Sequence, residues 1–309
     1  MIATVTLNPS LDRVVTVEGL VLDEANRWTS LRQYPGGKGI NVSRVIHELG
    51  SETTAYGFIG GIEGEAIKHL LGLQGVPYDF IPIRGEVRSN FIITDLKTHR
   101  QTRIDAPGPS ISRDELRILI DKLIRIEPRP DFLVLAGSVP PGVPDDIYRR
   151  LIEAAKAHGV KTVLDSDGKW LREGVKATPN VIKPNVHEAE EMLGTKLKDE
   201  AAIIQAAKTL VAQGIGVVAI SRGEDGLIIA NEDKILKGIP PRVEISSTVG
   251  AGDSTVAGLV LKLSQGGGIE EACRLAVAAG TAATLTPGTE LCRRKDVERL
   301  LPQVKVERL

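Results

Sequence analysis

Short apolar runs rich in β-branched residues alternate with helical periods along most of the chain: residues 53–58 then 63–74, 132–136 then 145–158, and 162–164 before 169–173. Runs of this kind separated by amphipathic stretches predict parallel strands joined by helical crossovers, hence an α/β fold with a mostly parallel central sheet flanked by helices. After Ser112, a candidate N-cap, the positions Leu116, Leu119, Ile120 and Leu123 recur at helical spacing. They predict a helix running to about residue 126, ahead of Pro128.

Two stretches break the alternation. Residues 11–17 with 27–34, and 89–95 with 101–105, predict strand pairs with no helix between them. We expect them to form a small antiparallel sheet, built discontinuously from about 11–34 and 88–105. Its edge needs covering by substrate or by a second subunit, so the expectation is a lid that also makes a homodimer. Further on, 217–220, 227–230 and 234–236 predict consecutive strands, followed by helical stretches near 254–263 and 269–286 that glycines 266–268 separate. The small residues Ala276, Ala278, Ala279, Ala282 and Ala283 imply close packing on something flat, either the sheet or an adenine ring at its edge. With no repeat or low-complexity linker, residues 1–309 are expected to form one α/β domain carrying this lid.

Composition narrows the function. With 42% hydrophobic and 26% charged residues, burial can offset chain entropy and a globular fold is expected. The formal net charge of −1 removes a global electrostatic case for nucleic-acid or membrane binding. Cys273 and Cys292 are too few for a disulfide framework and belong to no Cys/His cluster, which suits a reducing, cytoplasmic setting. Residues 1–7 read as a buried first strand, not a signal peptide, and no apolar run approaches the ~18 residues that span a bilayer.

Chemistry concentrates in a few turns. Val249-Gly-Ala-Gly-Asp-Ser-Thr255 follows a strand-like run and opens a helical period, so its backbone N–H groups and the helix dipole suit a phosphate or a developing negative charge. Asp253 would lie inside that turn, kept ionised by the dipole yet able to take a proton from an alcohol; the competing reading is a helix cap. Pro35-Gly-Gly-Lys-Gly-Ile-Asn41 is a second anion-friendly turn that is neither a Walker loop nor a dinucleotide fingerprint. Asn185 and Glu188 stand three apart and would place hydrated magnesium, or simply start a helix with Glu188 in its first turn. Arg88, Asn90 and Arg103 fall in the lid, where arginines can grip a phosphate or merely be solvated. Ser138 ends a strand, where open α/β sheets place their ligands. His187 is expected to face solvent.

In their order, Asn8-Pro-Ser-Leu-Asp12, Gly36-Gly-Lys-Gly-Ile-Asn41, Gly137-Ser-Val-Pro-Pro-Gly142, Lys183-Pro-Asn-Val-His-Glu188, Ser221-Arg-Gly223 and Val249-Gly-Ala-Gly-Asp-Ser254 resemble the PfkB family of carbohydrate kinases, the ribokinase-like fold, over essentially the whole chain. The resemblance implies Asp253 as catalytic base, with the backbone of Gly250, Ala251 and Gly252 as anion hole. It places Lys183, Asn185, Ser221 and Gly223 beside the nucleotide, and Glu188 on magnesium through water. Asp12, Gly37, Lys38, Asn41 and Asn90 match positions around the sugar, and Arg88, Arg103 and Ser138 positions around its existing phosphate. It further implies ATP as co-substrate and a β-clasp shared across a dimer. Within the family the chain resembles the phosphofructokinase branch, and Asp165-Ser-Asp-Gly168 with residues 278–292 look closest to the PfkB-type 6-phosphofructokinase. Lys38, however, is typical of 1-phosphofructokinases and tagatose-6-phosphate kinases, and Ala25 stands where a lysine of the partner subunit is expected. The expected reaction is phosphorylation of fructose 6-phosphate at its C1 hydroxyl. Its rivals are those two activities, a kinase of free sugars or nucleosides, and a non-catalytic nucleotide or sugar-phosphate sensor.

Overall fold

The computed structural model describes residues 1–309. Chain order begins with β1 (Ile2–Thr6), β2 (Ser10–Val17), β3 (Trp28–Gly36), α1 (Lys38–Glu48), β4 (Thr53–Ile59), α2 (Gly61–Gln74), β5 (Ile81–Pro82), β6 (Arg88–Asp95) and β7 (Arg100–Ile104). The middle contributes α3 (Arg113–Ile124), β8 (Phe132–Ala136), α4 (Ile147–Ala157), β9 (Lys161–Asp165), α5 (Gly168–Val175), β10 (Val181–Ile182), α6 (Val186–Leu193), α7 (Glu200–Ala212) and β11 (Val217–Ser221). The rest supplies β12 (Leu227–Ala230), β13 (Ile235–Ile239), α8 (Ala251–Ser264), α9 (Ile269–Ala283), α10 (Arg294–Leu300) and β14 (Lys305–Arg308).

Ten strands form one sheet in the order β14-β13-β12-β11-β10-β9-β8-β1-β4-β5. From β11 to β5 every pairing is parallel, whereas β12, β13 and β14 add antiparallel at one edge. The parallel part is apolar on both faces, as crossover helices require. Ala3 and Val5 of β1 and Leu133 and Leu135 of β8 enter one core with α3, α4 and α7, while Ile2, Phe132, Val134 and Ala136 enter the other with α1, α8 and α9. Ser112 does cap α3, in a reciprocal box with Glu115.

Strands β3-β2-β6-β7 make the second sheet. The expected antiparallel lid needs correcting here. Its two strand pairs are antiparallel, but β2 runs parallel to β6, so the lid is mixed. That register puts Asp12 beside Asn90 and Arg103 one row along on the same face, while Leu31, Phe91 and Ile104 point from the other. The alanines of α9 are buried, and the helix packs on the sheet as expected, with Cys273 and Val277 against Gly238 of β13; it packs as closely on helix α8, where a methyl group on Gly258 would lie 2.7 Å from the Leu275 carbonyl oxygen.

Candidate active site

The C-terminal ends of β1, β8, β9 and β10 and the N-termini of α1 and α8 converge, as ligand sites of open α/β sheets do. Gly250 adopts a left-handed conformation (φ 78°) and opens α8 with no side-chain cap, so the first-turn N–H groups keep no intrahelical acceptor. Asp253, in that turn, is 8% exposed and accepts a 2.8 Å hydrogen bond from Asn41 Nδ2 at its Oδ2. The sequence argument that the dipole keeps this carboxylate ionised is overturned in degree. Burial, reinforced by Asp165, pushes its pKa up to about 6 against the pull of Lys38, the Asn41 hydrogen bond and Lys183.

Two lysines share one carboxylate below Asp253. Lys38 Nζ lies 3.3 Å and Lys183 Nζ 3.6 Å from Asp165 Oδ1. Burial works against the Lys38 ammonium, but Asp165, Asp253, Glu188 and Asp167 outweigh it and hold Lys38 above the ordinary lysine value. Asp165 Oδ2 is buried with no hydrogen-bond partner. Glu188 closes a capping box with Asn185: its Oε2 accepts the Asn185 N–H at 2.8 Å, and Asn185 Oδ1 accepts the Glu188 N–H at 2.8 Å. The helix-start reading of this pair is therefore realised. Burial raises the Glu188 carboxyl, against Lys38, the Asn185 N–H and Lys183. No group of three or more His, Cys, Asp or Glu side chains gathers anywhere as a metal cage.

On the lid side Asp12 is buried and accepts from Ser10 Oγ at 2.7 Å and Asn90 Nδ2 at 3.1 Å. Burial raises its pKa, opposed by those bonds and by Arg103 and Arg88. Gly36 makes room for this carboxylate, since a Cβ there would lie 2.4 Å from Asp12 Oδ2, and Gly37 links that point to α1 at φ 113°. Arg88 donates to the carbonyls of Ala106 (2.8 Å) and Asn8 (3.1 Å), and its buried Nε has no partner. Burial, with the nearby charge of Arg103, lowers the Arg88 pKa, against Asp105 and Asp12. Arg103 is exposed and reaches Asp105 at 3.2 Å. Ser138 Oγ accepts from Asn8 Nδ2 at 3.2 Å.

Beyond Gly252 a cleft of about 800 Å³ opens, lined by Asn185, Ser221, Gly223, Ala251, Gly252 and Gly280 among others. Ser221, the last residue of β11, forms an isolated parallel bridge there with Asn185, the N-cap of α6. His187 is exposed, against Glu191, as expected. Thus Asp253 stands where two compartments meet, the cleft on one side and the lid residues on the other. Sequence reasoning gave no role to Asp165, Asn8 or Arg44; for Asp165 its place at the end of an apolar strand was an available signal.

The pattern described as pfkB family carbohydrate kinase matches residues 5–296. The chain belongs to the pfkB family. This pfkB-family chain is 38% identical to the 1-phosphofructokinase of Bacillus subtilis over 309 residues, all of both chains. It is 35% identical to the ATP-dependent 6-phosphofructokinase isozyme 2 of Escherichia coli, over 97% of each. Its fold is similar to phosphofructokinase-2 from Escherichia coli in complex with substrates and products, at a TM-score of 0.94 and 34% identity, covering 98% of each chain. The ribokinase-like α/β architecture expected from sequence is present, and the pfkB-family protein is an ATP-dependent phosphotransferase.

Proposed function

We propose that the chain transfers the γ-phosphoryl group of ATP to the C1 hydroxyl of fructose 6-phosphate, giving the 1,6-bisphosphate. The observation that carries this reading is the position of Asp253, on an uncapped helix N-terminus between a nucleotide-sized cleft and a lid face bearing Asp12, Asn90 and two arginines. The sugar hydroxyl oxygen would bond to the γ-phosphorus as the bond from that phosphorus to the ADP oxygen breaks, and the proton would pass to Asp253. A carboxylate with a pKa near 6 is ionised at neutral pH yet basic enough to help, which suits general-base catalysis. The amides of Gly250, Ala251 and Gly252 and the ammonium of Lys183 would face the charge on the equatorial oxygens. Positioning supplies much of the remaining rate. Ser221, Gly223 and Asn185 line the nucleotide side, while Asp12, Gly37, Lys38, Asn41 and Asn90 would orient the sugar.

Arg88, with Arg103 and Ser138, would hold the existing phosphate. An incoming anion would relieve the repulsion between the two guanidinium groups and could reach the partnerless Arg88 Nε. For magnesium the donor set fits: Asp165 offers a buried oxygen without a partner, and Glu188 keeps one carboxylate oxygen outside its cap. Bound there through water, the ion would neutralise charge on the phosphates. A homodimer formed through the lid completes the reading.

A second reading has its own support. Lys38 and the Bacillus subtilis relative favour fructose 1-phosphate, phosphorylated at its C6 hydroxyl to the same product. ADP release measured across fructose 6-phosphate, fructose 1-phosphate, tagatose 6-phosphate, ribose and adenosine separates these. Highest kcat/KM with fructose 6-phosphate is expected; preference for fructose 1-phosphate or tagatose 6-phosphate moves the assignment, ribose or adenosine removes the phosphate site, and nucleotide binding without turnover marks a sensor.

A further inference from the structure

Arg44, on the buried side of α1, is a guanidinium 7% exposed and without a carboxylate at ion-pair distance. Burying such a charge is costly unless it is thoroughly hydrogen-bonded. Burial pulls its pKa down to about 10, against the pull of Asp12, Tyr34, Asp253 and Glu290, so it remains cationic at neutral pH. Its donors go to neutral acceptors. Nε reaches Gln74 Oε1 at 2.9 Å, and Nη1 is shared among Asn41 Oδ1 (3.1 Å), the Pro35 carbonyl (3.2 Å) and the Thr289 carbonyl (3.4 Å).

One of these contacts leads to the reacting carboxylate. Asn41 stands between a group that can only donate, Arg44, and one that when ionised can only accept, Asp253. A free carboxamide has two orientations of similar shape. Between these neighbours one survives: Oδ1 toward the guanidinium and Nδ2 toward the carboxylate. We infer that Arg44 is a positioning residue for phosphoryl transfer, orienting the Asn41 amide so that it holds the Asp253 carboxylate in place. The role rests on Asp253 acting as the base, and it is exerted through Asn41, because Arg44 touches neither Asp253 nor the cleft. An apolar side chain would fill the same volume without a desolvation cost, which argues that the donor is what the position requires.

A double-mutant cycle on kcat tests this, with folding of each variant followed by thermal melting. Arg44→Met should lower kcat by about 10-fold or more, since small displacements of reacting groups are costly, and change the KM for the sugar phosphate far less. Arg44→Lys, which keeps a cationic donor near Asn41 Oδ1, should recover kcat above the Arg44→Met value. In an Asn41→Ala background the same Arg44→Met step should cost less than about 2-fold, because the residue it acts through is gone. An equal loss in both backgrounds would mean a diffuse field or general fold damage, and would overturn the proposal. So would a folded Arg44→Met enzyme with unchanged kcat, or an Arg44→Lys enzyme no better than Arg44→Met. Should Arg44→Met not fold, Gln74→Leu at the exposed end of α2 frees the guanidinium from outside: a loss of about 3-fold that vanishes with Asn41→Ala supports the role, and no loss refutes it. Failure of the kinase reading is seen separately, as a wild-type chain that releases no ADP with any sugar phosphate.

Discussion

Asp253 shows how a local signal and a tertiary one can point in opposite directions. A helix N-terminus lowers a carboxyl pKa, and that much is visible in the sequence; burial and Asp165, brought in from β9, exist only in the fold and win. Two outcomes follow. Asp253→Asn should lower kcat by at least about 100-fold, the usual scale for a lost general base, while ATP affinity measured by calorimetry stays near wild type. The same substitution should stabilise the protein near neutral pH. A carboxyl raised from 3.8 to about 6 binds its proton more tightly folded than unfolded, so its contribution is most favourable below pH 4 and is lost as pH rises through 6. Two units correspond to about 3 kcal/mol. Melting curves for both proteins should therefore diverge between pH 4 and pH 7, with the variant higher; a constant gap would contradict the burial argument. On the lid, Arg88→Ala removes a charge-assisted contact of about 1.5–3 kcal/mol. Steady-state kinetics should show a KM for the sugar phosphate raised roughly 10- to 100-fold with kcat changed less. An unchanged KM would move the phosphate site elsewhere.

Elements with strong periodicity or distinct punctuation were legible from sequence: β4, β8 and β9 with the helices that follow them, and α3 with its Ser112 cap. Others were not. The two-residue strands β5 and β10 carry too little pattern to announce themselves, and β14 is largely exposed and polar, so only its pairing with β13 makes it a strand. The candidate site follows the same division. Motif residues on glycine-marked turns were found, whereas Arg44 lies in ordinary-looking sequence, and Asn8, although it opens the Asn8–Asp12 segment, shows its part only through what it touches, Ser138 and the Pro107 carbonyl. Gly36 illustrates an element-level requirement of the opposite kind, because its need is set by a side chain on another strand. A β-carbon there would meet the Asp12 carboxylate at 2.4 Å, and the obstruction lies at the junction of β3 and α1. Gly36→Ala should therefore push Asp12 from its place beside Asn90 and raise the KM for sugar at least several-fold. Nucleotide affinity, read in the distant cleft, should not change; a parallel loss of both would indicate that the α1 turn itself had collapsed.

For the molecule as a whole, the decisive surface is the lid face turned away from the cleft. Strand alternation commits Asp12, Asn90 and Arg103 to one face and thereby sends Leu31, Phe91 and Ile104 to the other, with Trp28 joining them through the bulge near Val17. Trp28 is 63% and Ile104 56% exposed, a concentration of apolar surface that a small sheet does not ordinarily leave in water. The outer strands β3 and β7 add unpaired edges to it. The sequence indicated the two strand pairs, but not that β2 and β6 would join them in parallel, because that pairing spans segments far apart in the chain. A second copy of the same lid offers the complementary apolar face, and a twofold arrangement would bury both at once. On the proposed lid homodimer, introducing charge at two of these positions, Phe91→Asp with Ile104→Asp, should leave only monomer in sedimentation velocity where the unsubstituted chain sediments as a dimer, while the main-sheet cores keep the fold intact. Activity should fall with it if the paired lids hold each other over the sugar, chiefly as a raised KM for sugar phosphate. A doubly substituted protein that still sediments as the dimer would place the interface on another surface and leave the lid as a cover within a single chain.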